Sequence, residues 1–185
     1  MRAYPFKPVK GGGQQPSAGQ LWKRVTQERR AQAARAFWSD KDTAAHVEAM
    51  VEMARHLKFR PKSVEALPLE RRVRYLAGMP ALSDAVAGQV LVAYHLAHQR
   101  PMMGAFLDRL GIPHDNGVIS EPDKLEAPDP AKLAEAVGAL FDTHQADDVE
   151  LYLSTLAVQD VAIWGGVIDL LIARETDTAS GEKGS

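Results

Sequence analysis

Apolar residues recur along this chain at steps of three and four, the spacing that puts side chains on one face of an α-helix. Between Ser17 and Ala173 that period accounts for nearly every hydrophobic position, and the strict alternation of a half-buried strand is almost missing. Ser17 and Gln20 have the spacing of a capping box and open a helix over 18–38 with Leu21, Trp22, Val25 and Phe37 at its apolar positions. Ser39 and Asp42 repeat the device. They lead into a second helix whose Val47, Met50, Val51, Ala54 and Leu57 share one face and which Pro61 ends. Leu69, Val73 and Leu76 mark a short third helix, with Arg71, Arg72 and Arg74 opposite and Gly78 with Pro80 as its stop.

Ser83 and Asp84 cap the most apolar stretch, where Val86, Ala87, Val90, Leu91, Tyr94 and Leu96 leave no fully polar side. A helix apolar all round belongs in the middle of a fold. Pro101 suits the first turn of the next helix, which runs through Met102, Met103, Phe106 and Leu107 to Gly111. Residues 112–130 hold too many breakers for a regular element, and the alternation from Gly117 to Ser120 is enough for a single bridge. Asp129 and Pro130 start a helix through Leu133, Val137 and Leu140. Asp147 with Glu150 caps another, and Asp160 caps a last one through Trp164, Val167 and Leu171. The expectation is an all-α, irregular single-domain bundle of about seven or eight helices over 17–174, with flexible tails at 1–16 and 175–185.

Composition agrees with one globular domain: 185 residues, 45% hydrophobic and 25% charged. No apolar run approaches the roughly 18 residues of a spanning helix, and none of signal-peptide length precedes Gly11–Gly13, so a cytoplasmic protein without membrane partners is expected. The absence of cysteine removes disulfides, thiolate metal sites and cysteine nucleophiles. Charge adds more. The net charge of −2 conceals a division: residues 1–100 hold 17 Lys plus Arg against 8 Asp plus Glu, and residues 101–185 hold 5 against 16. Such asymmetry points to a partner for the basic side.

Seven cations, Arg55, Lys58, Arg60, Lys62, Arg71, Arg72 and Arg74, are interleaved with His56, Phe59 and Tyr75. Cations with aromatics suit phosphate contact and base stacking, so nucleic acid is one candidate partner. A pI near 6.3 favours instead halves that face one another in the fold or between subunits, or form solvated faces, and a protein partner or self-association is expected before nucleic acid.

Phosphate-loop, dinucleotide, nucleophile-elbow and HExxH motifs are all missing from the sequence. Glu48, Glu52 and His56 recur at steps of four, a spacing more usual for a solvated helix face than for a metal site. The densest polar stretch lies at 94–117. His95 and His98 are three apart and so neighbours on one helix; two imidazoles at that spacing can share a divalent metal, with Asp108, His114 or Asp115 completing the set. Arg100 beside them could clamp an anion. The competing expectation is that these groups are hydrogen-bonded in the core and need no cofactor. Gly165 and Gly166, inside an apolar helix, would serve close packing, a break or a pocket floor. With no motif for chemistry, the sequence reads first as a non-catalytic interaction protein and second as a metal- or anion-binding, enzyme-like domain.

Overall fold

The computed structural model describes residues 17–40 and 43–181, and among these it contains ten α-helices, one two-stranded hairpin and one 3-10 turn. The all-α class is therefore established. The tail expected at 1–16 and the cap expected at Asp42 lie outside the described residues. The helices gather into two compact units, Ser17–His98 and the chain from Gln99 onward.

In the N-terminal unit the helix expected over 18–38 is two helices, α1 (Ala18–Arg24) and α2 (Gln27–Ser39). The reason is local. The Arg30 guanidinium donates to the Trp22 carbonyl from Nη2 at 2.8 Å and Nε at 3.1 Å, occupying the oxygen that a continuing helix would pair with the Thr26 amide. Thr26 then caps α2 by accepting from the Arg29 amide. Helix α3 (Thr43–Leu57) ends at Lys58, which has φ of +57°, and its closing bond is donated by the Phe59 amide to the Ala54 carbonyl at 2.8 Å. Pro61 does not stop this helix; it is the first residue of the next, α4 (Pro61–Glu65). Helix α5 (Leu69–Gly78) follows the expected span.

Helix α6 (Asp84–His98) buries Val86, Ala87, Val90, Leu91, Tyr94 and His95, and packs against α1, α2 and α3. Within this unit it is the central helix. Its start is tied down from two sides. The Ser17 hydroxyl and the Gly19 amide donate to Asp84 Oδ1 at 2.6 and 2.9 Å, while the Ser83 amide and hydroxyl donate to the two oxygens of Glu52. A Cβ on Gly19 would stand 2.7 Å from the Leu82 carbonyl oxygen, so this approach admits only glycine. Helix α3 departs from its expected face: Ala49, Met53 and Ala54 are buried, whereas Val47 and Val51 are 54% and 41% exposed.

The C-terminal unit consists of α7 (Arg100–Leu110), the hairpin β1 (His114–Asp115) and β2 (Val118–Ile119), the 3-10 turn Pro122–Lys124, α8 (Pro130–Thr143), α9 (Ala146–Gln159) and α10 (Val161–Gly181). Asp129 caps α8 as expected, accepting from the Ala131 and Lys132 amides, and Asp160 caps α10 by accepting from the Ile163 amide. Asp147 is not a cap. It lies in the first turn of α9, which Gln145 precedes, where its charge still favours the helix dipole. Phe106 of α7, Tyr152 of α9 and Trp164 of α10 meet at 5.8 and 5.9 Å between ring centres and form the middle of this core. Burial raises the Tyr152 hydroxyl above its usual range. Gly165 and Gly166 stay helical, and a Cβ on Gly166 would come within 3.2 Å of Leu133, so Gly166 allows α10 to approach α8. Helix α10 continues to Gly181, past the boundary expected at 174.

The bonds from Ser17 and Gly19 hold the Asp84 carboxyl below the ordinary aspartate range. A folded value below the unfolded one stabilises the protein above the unfolded pKa of about 3.9, and that contribution is lost as pH falls through the folded value. Asp84→Asn should therefore be less stable at neutral pH and lose less on acidification from about pH 4 to pH 2. Denaturant titrations that stay parallel across that window would remove Asp84 from the acid response.

Candidate functional site

The six residues expected to form a pocket divide between the units. His95 and His98 belong to the N-terminal unit, and Arg100, Asp108, His114 and Asp115 to the C-terminal one. His95 is only 2% exposed and stands edge-on to Tyr94, with 5.3 Å between ring centres; His98 is exposed and tilts over the other part of the same ring at 5.2 Å. The spacing of three does make them neighbours on α6, but one is sealed in the core and the other faces solvent. Glu52 is likewise committed, with both oxygens on Ser83. Among the described residues no group of three or more His, Cys, Asp or Glu is placed to hold one metal ion.

In the C-terminal unit Arg100, Asp108 and His114 do come together, around the hairpin. Asn116 and Gly117 have φ of +48° and +84°, the two left-handed residues of a tight two-residue turn, and they bring Asp115 opposite Val118. The Gly117 amide donates to His114 Nδ1 at 3.1 Å. With Nδ1 accepting, the ring proton sits on Nε2, which donates to Asp108 Oδ1 at 3.1 Å. Both imidazole nitrogens are thus occupied, leaving neither a lone pair for a metal nor a free base for proton transfer. Arg100 Nη1 donates to the Asn116 carbonyl at 3.1 Å, so its guanidinium fastens the turn to the start of α7. Asp115 is exposed. A Cβ on Gly117 would overlap Met103 Cβ at 2.8 Å and the Arg100 carbonyl at 3.0 Å, and one on Gly104 would press on the His114 ring at 3.3 Å. The cluster is a clasp that pins a hairpin to a helix.

The seven cations also separate by role. Arg72 lies over the Trp38 ring at 5.0 Å, with its Nε and the Trp38 Nε1 both buried without a hydrogen bond, so it is part of the packing. Arg74 lies over Tyr75 at 5.4 Å. Arg30 and Arg35, from the more N-terminal basic run, are engaged as well: Arg30 with Trp22, and Arg35 in a bidentate pair with Glu70 at 2.6 and 2.7 Å that lowers the Glu70 pKa. By contrast Arg55, Lys58, Arg60, Lys62 and Arg71 are exposed, and their side chains form no ion pair among the described residues. Four of the five fall on the α3–α4 corner, where Phe59 is 46% exposed and Lys58 holds the left-handed backbone. That conformation costs a side-chain-bearing residue roughly 1 kcal/mol, and glycine is its usual occupant. A lysine here is a local cost that no side-chain bond among the described residues offsets.

A surface cavity of about 300 Å³ opens between the end of α7 and the start of α8. It is lined by Leu110, Ile112, Ile119 and Leu125 together with Lys132 and a Glu121–Lys124 pair at 2.7 Å. None of the candidate site residues lines it, because it exists only through the path of the loop 111–129. No protein-family model matches the chain, and no curated protein or solved structure is similar to it.

If the clasp is structural, Gly117→Ala should destabilise the protein by about 2 kcal/mol or more, and His114→Ala by about 1–3 kcal/mol for the groups left unpaired. Neither the natural chain nor His114→Ala should melt at a higher temperature with added zinc, manganese or nickel. A metal-dependent rise lost in His114→Ala would instead make the imidazole a ligand.

Proposed function

We propose that this protein is a non-catalytic, cytoplasmic interaction protein whose basic N-terminal unit receives an acidic protein partner at the α3–α4 corner. The observation that carries the reading is a contrast of engagement. The groups able to do chemistry, His95, His114, Asp108 and Glu52, are sealed or hydrogen-bonded in structural roles. Arg55, Lys58, Arg60 and Lys62 are exposed, without counterions among the described residues, beside exposed Phe59. Charge supports it further: residues 17–98 contain 13 Lys plus Arg against 8 Asp plus Glu, and the chain from 99 has 6 against 16, so the division of charge coincides with the division into units. Charged surfaces of this kind steer association and select partners more than they add affinity. The cytoplasm is inferred from composition alone; no helix among the described residues is long and apolar enough to cross a membrane.

The test is binding of a labelled polyglutamate of about 20 residues to the full chain, which should weaken at least tenfold between about 50 and 300 mM salt. Replacing Arg55, Lys58, Arg60 and Lys62 by glutamate should abolish it, while the same change at Lys23 and Arg24 should not. Retention of binding after the four-fold reversal would defeat the reading.

A further inference from the structure

Resting on that reading, we infer that the partner segment is an amphipathic helix with an acidic flank, laid along the exposed face of α3 and ending at the Phe59 corner. Three observations lead there. First, the outward face of α3 sets two valines among the polar positions Glu48, Arg55 and His56, where a solvated helix would be polar throughout. Val47 and Val51 are one turn apart and 54% and 41% exposed, and Phe59, two residues past the helix end, is 46% exposed. Glu48 is the acidic residue of that face, beside the valines, and Arg55 follows one turn after Val51.

Second, the shape of the surface selects a helix. The N-terminal unit offers no strand among its described residues, so an extended peptide would find no backbone edge to pair with. Side chains a turn apart form the ridge over which a second helix packs. From Val47 to Phe59 the patch measures roughly 18 Å, which corresponds to three to four turns of a partner. Third, the chemistry selects its charge. Arg55, Lys58, Arg60 and Lys62 border the apolar residues, and Lys58 keeps its cation at a backbone position better suited to glycine. Aliphatic side chains at the centre neither stack on bases nor contact phosphate, which disfavours nucleic acid as the occupant.

Two peptides of about 18 residues, identical in composition and built from Glu, Ala and Leu, separate this inference from the broader one. In one the leucines recur at helical spacing, and in the other they are scrambled. The patterned peptide should bind the full chain at least tenfold more tightly than the scrambled one. Val51→Asp, a change at an exposed position, should remove that difference and leave the melting temperature within about 2 °C. Lys58→Gly should weaken binding by about threefold while raising the melting temperature by a few degrees, a split that a purely structural lysine would not give. Equal affinity for the two peptides would overturn the helix and leave the acidic partner standing; binding of neither would remove both. Tighter binding of a single-stranded oligonucleotide or of anionic vesicles than of the patterned peptide would also overturn it. So would a dimer of the chain itself that Val51→Asp dissociates.

Discussion

Helix α6 buries Val86, Ala87, Val90, Leu91, Tyr94 and His95 and leaves Ala85, Gln89 and Ala97 exposed, and the covering of its buried side governs the N-terminal unit. Helices α1, α2 and α3 each press against it, and residues at its N-terminus fix where two of them begin or pass. Asp84 receives the first turn of α1, and Ser83 receives Glu52 from α3. Gly19 is the geometric condition for the first of these ties, since the α1 backbone must lie against the Leu82 carbonyl. Hydrophobic burial supplies most of the driving force, but it is non-directional. The polar contacts at one end give the covering helices their order and angle.

The C-terminal unit solves a different problem. Its loop between α7 and α8 is long, and a loop with no contacts would leave backbone groups unmatched and the chain poorly ordered. His114, Asp108, Arg100 and the two close-approach glycines fold that loop onto α7. This is why a segment dense in titratable residues is architectural. A histidine in a turn can satisfy an amide with one nitrogen and a carboxylate with the other, joining three chain segments with one side chain.

Within the N-terminal unit the cations are used in different ways. Arg30 serves as a helix breaker by occupying a carbonyl, Arg35 as an inter-helix brace and Arg72 as a lid over an indole. Such residues look the same in a sequence count as Arg55 or Arg60, whose side chains form no ion pair among the described residues. Only the latter group gives the surface its character. Net charge by segment therefore shows which side of the protein is basic, while individual contacts show which of the cations a partner can meet.

Helix class and most boundaries were legible in the sequence because periodicity, prolines and caps act within a few residues. Ser17, Asp129 and Asp160 cap the helices expected of them, and Gly111 ends α7 in the left-handed conformation. The hairpin was legible in part: the alternation from Gly117 to Ser120 suggested a single bridge, while Asn116-Gly117, a strong two-residue turn signal, was hidden among neighbouring breakers. The break at Val25 and the outward turn of Val47 and Val51 were not legible. One depends on the Arg30 guanidinium reaching back eight residues to the Trp22 carbonyl, and the other on which side of α3 its neighbours cover. The same limit applied to the candidate site. Spacing placed His95 and His98 side by side on a helix, but burial of one and the double hydrogen bonding of His114 depend on contacts between segments. The sequence determined by itself what each stretch could become, since those preferences are local; tertiary structure decided which polar groups were consumed inside and which were left for a partner, since that depends on what each side chain meets across the fold.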